Sequence, residues 1–409
     1  MAFNSLRTSI NCFLSLHQTF SFTRSSYNNI IKSESLSSTH STPIIIATYV
    51  YPNWESLFTA NMESQRPCLL VLSGKSEREK EFARSLKESS SLKLADDVKL
   101  QTCLQMERQS EKDEFNIDTY MDSLETSCFG RFALWSPLLP STQDIVSLNF
   151  FDIPIGSVCI ADVQFKGRGR SQNVWESPKG TLLFSFTMQM EDGGVVPLVQ
   201  YVVCLAMTEA IKDLAIRNGI PPLDVRIKWP NDLYLNGLKV GGILCASTYQ
   251  SKIFNISAGV GLNVDNNKPT TSLNSELQKI NSGYNLRRED ITSTFFDKFE
   301  HFFQILVHQG FKPLEELYYK TWLHSGQRIV VEEKSKEQDL LTENVVTVQG
   351  LTSSGYLLAI ADNGERFELH PDGNSVATFE PYETAKNKKI HVMWYSFDFF
   401  KGLVRRKLA

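Results

Sequence analysis

The sequence predicts an α+β protein that ends in a small all-β module. Two changes of hydrophobic period carry this reading. Between Pro197 and Gly219 the residues Val199, Val203, Ala206, Ala210 and Leu214 recur as one helical stripe, whereas from Val225 onward apolar and polar residues alternate. After Gly326 the chain breaks into short strands separated by Gly, Asn and Asp turns, "QRIVV", "NVVTVQGL", "GYLLAIA" and "ERFEL", the texture of a small barrel.

No acidic residue precedes Glu34, and Arg7, Arg24 and Lys32 lie among many Ser and Thr. Without a clean apolar core, residues 1–40 have the composition of an organelle transit peptide, and Met62 offers an internal start for a cytosolic form. An accessory region is expected over 41–127, with strands at Pro43–Tyr51 and Pro67–Ser76 and a helix around Glu77–Glu88. Gly74-Lys75-Ser76 follows a strand as the end of a P-loop does. The first glycine of that motif would fall at Leu69, so no Walker site is expected.

The central unit is expected over 128–326. Pro197 suits the first turn of its first long helix, and Asn218-Gly219 supplies a left-handed stop. In "DVRIKWPNDLYLNGLKVGGILCAS", Val225, Ile227 and Trp229 point one way and Arg226 and Lys228 the other, while Asn236-Gly237 predicts a two-residue hairpin. "IFNISAGVGLNV" reads as a strand interrupted by Gly259 and Gly261. A helix follows with Ile291, Phe295, Phe299, Phe302 and Leu306 on its stripe, closing at Gly310, and another runs from about Pro313 to Leu323. The β module then fills 327–409.

At 409 residues the chain has room for two or three packed units. Its net charge of -4 gives no global basic field, so no nucleic-acid partner is expected, and no stretch approaches the length of an apolar membrane span. Seven scattered cysteines without a C-x-x-C pair, and dispersed histidines, argue against a disulfide framework or a metal cage. His324 reads as a surface or packing residue.

Chemistry concentrates in "QFKGRGRSQNVW". Alternating glycines let backbone N–H groups approach a ligand, and Arg168 and Arg170 add fixed charge suited to phosphate or carboxylate oxygens. Neither G-x-G-x-x-G frame closes, because positions 172 and 264 are Gln172 and Val264, which disfavours a Rossmann cofactor. Trp175 could stack on a nucleobase, and Lys228 stands at a strand end. Taken singly each also fits a plainer role: a solvated basic turn, a core tryptophan, an exposed sheet lysine. Asn231-Asp232 reads as the turn that follows. No Ser-His-Asp or Cys-His arrangement is seen.

Quoted in order, "LPSTQD", "QFKGRGRSQNVW", "KWPNDLYLNGLKVGGIL" and "GVGLNV" resemble the biotin–protein ligases, or holocarboxylase synthetases, over about Phe129 to Leu369. The transit-like start is closest to the plant form. The resemblance implies a central mixed or antiparallel sheet flanked by helices and an SH3-like C-terminal barrel. It also implies a two-step reaction: biotin and ATP, with Mg2+, give biotinyl-5′-AMP, and a carrier-domain lysine of acetyl-CoA carboxylase or another biotin-dependent carboxylase takes the biotinyl group. Carried over by motif, Ser141, Thr142, Gln143 and Gln164 would bind biotin, and Arg168, Gly169 and Arg170 would cover the carboxylate and phosphate. Trp175 would stack on adenine and Lys228 would meet the reacting carboxylate, leaving Asn231 and Asn263 near the nucleotide. Arg170 and Lys228 would be the catalytic pair, with no metal ligands assigned. The rivals are a lipoate–protein ligase, a DNA-binding regulator and a non-enzymatic binding module. The pre-130 segment has no compact basic helix pair for the second, and Lys228 is unexplained by the third. Residues 376–395 depart from the family pattern, in which a "PDGNS"-like turn passes directly into "FDFFKGLVRRK".

Overall fold

The computed structural model describes residues 68–407 apart from 95–98, 109–110, 112, 171–172, 267, 281–282, 335–340, 372–392 and 399–402. The transit-like segment, the Pro43–Tyr51 strand, Met62 and most of 376–395 lie outside the described residues. All described residues belong to one unit of the chain, Glu55–Ala409.

The described chain opens with β1 (Cys68–Gly74), α1 (Glu77–Ser89) and β2 (Leu100–Leu104), a strand–helix–strand unit whose two strands pair in parallel. Next come α2 (Ile117–Ser123), β3 (Phe132–Leu139), α3 (Thr142–Leu148), β4 (Val158–Gln164) and β5 (Thr181–Met190). The long helix α4 (Val199–Arg217) leads to β6 (Val225–Lys228), β7 (Asp232–Leu235), β8 (Leu238–Gln250) and β9 (Ile253–Asn263). Helices α5 (Leu273–Lys279), α6 (Arg288–Gln309) and α7 (Glu315–Thr321) follow. The nine strands form one mixed sheet in the order β2-β1-β3-β4-β5-β9-β8-β7-β6, parallel only at β1–β2 and β3–β4.

Helix α4 is buried on more than the single stripe its spacing predicts. Val202, Leu205, Met207 and Ile211 are as inaccessible as Val203 and Ala206, because α4 packs against the sheet on one side and α6 on the other. A helix apolar nearly all round belongs inside. Phe184 and Phe186 of β5 meet Phe295, Phe296 and Phe299 of α6 with centroids 4.8–5.7 Å apart. Such rings contribute large buried area and fix the tilt of α6 on the sheet. At the predicted hairpin, Asn236 (φ +51°) and Gly237 (φ +77°) are both left-handed, the paired conformation that a tight two-residue turn requires.

Beyond α7, β10 (Arg328–Lys334), β11 (Leu341–Leu351), β12 (Leu357–Ala361), β13 (Arg366–Leu369), β14 (Met393–Asp398) and β15 (Leu403–Lys407) make a second sheet, ordered β13-β12-β11-β10-β15-β14. It is antiparallel except at β10–β15 and is consistent with the expected SH3-like module.

Candidate active site

The site is built where the open face of β5, β9 and β8 meets the start of α3 and the loop after β4. Small residues make this face concave. A Cβ on Gly259 would come within 2.8 Å of Gln143 Oε1, and one on Gly261 within 2.5 Å of Trp175 Cε2. The "GVG" of β9 therefore clears two seats, one for an amide and one for an indole.

Around Thr142 and Gln143 the hydrogen-bond partners are neutral. The Thr142 N–H and hydroxyl donate to Gln164 Oε1 at 2.7 and 3.0 Å, and the Thr142 and Ser185 hydroxyls are 2.8 Å apart. Gln143 Nε2 donates to Ser257 Oγ at 2.6 Å. That bond fixes the amide and leaves Gln143 Oε1 buried without a hydrogen-bond partner, a costly state unless a ligand donor meets it.

The glycine-arginine segment closes on itself. Trp175 N–H donates to Gly167 O at 3.0 Å, Gly169 N–H to Asn173 O at 2.7 Å and Asn173 N–H to Arg170 O at 3.0 Å. Gly167 has no room for a side chain, since a Cβ would lie 2.5 Å from Trp175 O. The Arg168 guanidinium pairs with the Asp144 carboxylate in the first turn of α3, tying loop to helix.

Lys228 is the last residue of β6 and only 1% exposed. Its ammonium lies 5.3 Å from the centre of the Tyr234 ring. The exposed-lysine alternative is thereby corrected: a charge in this position is screened from water by the sheet. Trp229 N–H donates to His324 Nε2 at 2.9 Å, and the Trp229 indole donates to the Tyr201 hydroxyl at 2.9 Å. Tyr201 in turn donates to Gly355 O in the β11–β12 turn. His324 is fully buried, and burial, reinforced by the Lys228 charge, pushes its pKa down to about 3. It is a packing residue that accepts a hydrogen bond as a neutral imidazole.

The pocket so formed brings together Ser141, Thr142, Gln143, Gln164, Arg168, Gly169, Arg170, Trp175 and Asn231. Two expected residues do not line it. Lys228 is buried, opposite the lining residue Asp232 in the β6–β7 ladder, and Asn263 is buried too, with its amide donating to Thr271 O at 3.1 Å. Asn231 is more than a turn residue, because its side-chain N–H2 group donates to Ile243 O and its backbone carbonyl accepts from Ile243 N–H at 2.9 Å, pinning β8.

Sequence reasoning missed Asp232, Ser185 and Lys239 in the lining. Lys239 Nζ is 2.7 Å from Asp232 Oδ1 and 5.7 Å from the centre of the Trp175 ring. Strict alternation would set Lys239 and Gly242 on opposite faces. A register shift in the β7–β8 pairing, between Leu233 and Tyr234, returns both to the pocket side. No residue pattern announces that shift.

The stretch from β3 to β9 that carries this pocket falls in the class of biotin and lipoate ligases: a model of the Biotin/lipoate A/B protein ligase family matches residues 135–263. The chain is 56% identical over 358 residues to "Biotin--protein ligase 1, chloroplastic" of Arabidopsis thaliana, covering 86% of this chain and 91% of that protein. It is 56% identical over 352 residues to "Biotin--protein ligase 2" of the same plant, covering 85% and 100% respectively. A solved biotin protein ligase from Aquifex aeolicus in complex with biotin and ATP is 23% identical, with a TM-score of 0.44, covering 58% of this chain and 94% of that one. The chain belongs to the biotin–protein ligase family.

Proposed function

We propose that the pocket holds biotin and ATP end to end, joins them as biotinyl-5′-AMP, and passes the biotinyl group to a lysine of a carrier domain. The observation that carries this reading is that one pocket offers both kinds of partner. Neutral groups of Thr142, Gln143, Gln164 and Ser185 are bonded together there, and the unpartnered Gln143 Oε1 suits a ureido N–H. Arg168, Arg170, Lys239 and the Trp175 indole line the same pocket. The dithiolane of lipoate has no N–H to offer Gln143, which favours biotin over the lipoate alternative.

In the first step a biotin carboxylate oxygen attacks the α-phosphorus. A C–O–P linkage forms, the bond to the bridging oxygen breaks, and pyrophosphate leaves with the electron pair. Two anions must meet, so Arg168 and Arg170 act chiefly by stabilising charge. Lys228 joins them if its ammonium turns into the pocket. Trp175 offers the adenine a stacking surface, and Gly169 lets the loop backbone approach the phosphate. Asn231 and Asn263 hold the strand ends on the nucleotide side. In the second step the carrier lysine attacks the acyl carbon and AMP leaves, so no protein nucleophile is needed.

Mg2+ suits this donor set as a companion of ATP. Magnesium is commonly bound through one or two carboxylates plus substrate phosphates, and Asp232 is a carboxylate on the pocket wall. When bound, the ion would neutralise phosphate charge. Among the described residues no group of three His, Cys, Asp or Glu could hold a metal.

The acceptors in this reading are the biotin carrier domains of acetyl-CoA carboxylase and other biotin-dependent carboxylases. In the same reading residues 1–40 deliver the protein to a chloroplast, which the chloroplastic relative supports, or to a mitochondrion, and a cytosolic form starts at Met62. No helix among the described residues is long and apolar enough to cross a membrane. Biotin-dependent exchange of labelled pyrophosphate into ATP tests the first step. Exchange driven by lipoate and not by biotin would overturn it.

A further inference from the structure

The pocket contains a cation, Lys239, to which the resemblance assigns no role. Lys239 is the second residue of β8, close behind the Asn236-Gly237 turn, and its ammonium is paired with Asp232. Above Gly242 three groups converge. A Cβ there would lie 3.4 Å from Asp232 Oδ1, 3.5 Å from Trp175 Cζ3 and 3.6 Å from Lys239 Cε. The lysine stem and carboxylate therefore flank the edge of the indole on the rim of the pocket. Arg168, by contrast, is tied to Asp144 at the α3 end.

From this placement we propose that Lys239 is the positioning cation for the phosphate chain of the nucleotide, held ready on Asp232 until a nucleoside triphosphate enters. The inference rests on the adenylation reading above and names a residue and ligand group that it leaves open. Three features support it. Lys239 is about one-third exposed, so its head can reach a ligand. Its partner is nearly buried and remains behind when the ammonium moves. An ammonium on a flexible stem is also suited to follow a charge that changes position, as happens when pyrophosphate departs, whereas the Arg168 fork is committed to one geometry.

The test uses the full chain and the variants Lys239→Met and Lys239→Arg. Lys239→Met keeps the apolar stem against Trp175 and removes the charge. It is expected to raise the KM for ATP about tenfold or more, to change biotin affinity less than threefold, and to leave competition by adenosine unchanged, since adenosine has no phosphate. Lys239→Arg should recover most of the loss. Transfer from preformed biotinyl-5′-AMP to a carrier domain should also stay within threefold of the native rate, because pyrophosphate has already left. An unchanged KM for ATP, or equal losses toward ATP, adenosine and biotin, would overturn the inference. Absence of biotin-dependent exchange in the native protein would instead overturn the adenylation reading beneath it.

Discussion

The indole of Trp175 lies directly on Gly261, so close that a Cβ at 261 would approach Trp175 Cε2 to 2.5 Å. Strand β9 thus carries a glycine because the ligand loop rests on it, and the two motifs form one structural unit. Gly261→Ala should lift the indole off the sheet. Overpacking of this kind costs about 1–3 kcal/mol, and the loss should appear as a rise of roughly tenfold in the KM for ATP. Steady-state kinetics with ATP and biotin varied separately check it, and equal effects on both substrates would refute the seating role of Gly261.

Removing the charges assigned to the first step should slow it more severely. Arg170→Ala and Lys228→Ala are each expected to lower adenylate formation roughly a hundredfold or more, the scale for a lost donor to developing negative charge. Single-turnover formation of biotinyl-5′-AMP is the measurement. A near-native rate in Lys228→Ala would mean that the ammonium stays buried and serves packing.

Tyr201 joins the turn after Lys228 to the C-terminal sheet, accepting from the Trp229 indole at 2.9 Å and donating to Gly355 O. Tyr201→Phe removes both bonds and leaves the Trp229 indole only its longer 3.2 Å bond to Gly355 O, a loss of about 1–3 kcal/mol. The melting temperature should fall by several degrees and adenylation should slow several-fold with it. A stability loss without any kinetic change would show that the C-terminal sheet does not help hold the Trp229 turn.

Acid should destabilise the protein through His324. Its pKa is about 3 in the fold, against 6.5 ordinarily, so between those values the unfolded chain binds the extra proton. Stability is then fully present above about pH 6.5 and declines as pH falls toward 3, by up to ~1.4 kcal/mol per pH unit from this group. His324→Gln, which keeps an acceptor for Trp229 N–H, should flatten that slope in denaturant titrations at pH 4.5 and 7. An unchanged slope would assign the pH dependence to other groups.

Much of the fold was legible because local signals agreed with the tertiary environment. Asn236-Gly237 forms the hairpin it announces, and Gly310 (φ +75°) closes α6 where its stripe ends. The spread of burial around α4 was not legible, since a stripe of five residues says nothing about a second helix packed on the far side. Within the site, the glycine-arginine loop and the Ser141–Gln143 turn were readable because their residue types are chemically specific. Lys239 was hidden by a register shift, and the burial of Lys228 depends in part on His324, which is distant in sequence. Alternation gave the right side chains but not which face of β6 would be covered. Asn263 matched its motif, yet its amide serves Thr271 rather than the pocket.

The most direct test of the central claim is the mass of an isolated biotin carrier domain after incubation with the full chain, biotin, ATP and Mg2+. The account predicts one added biotinyl group, on the carrier lysine, dependent on both biotin and ATP. A carrier of unchanged mass, or one that gains a lipoyl group when lipoate is supplied in place of biotin, would contradict it.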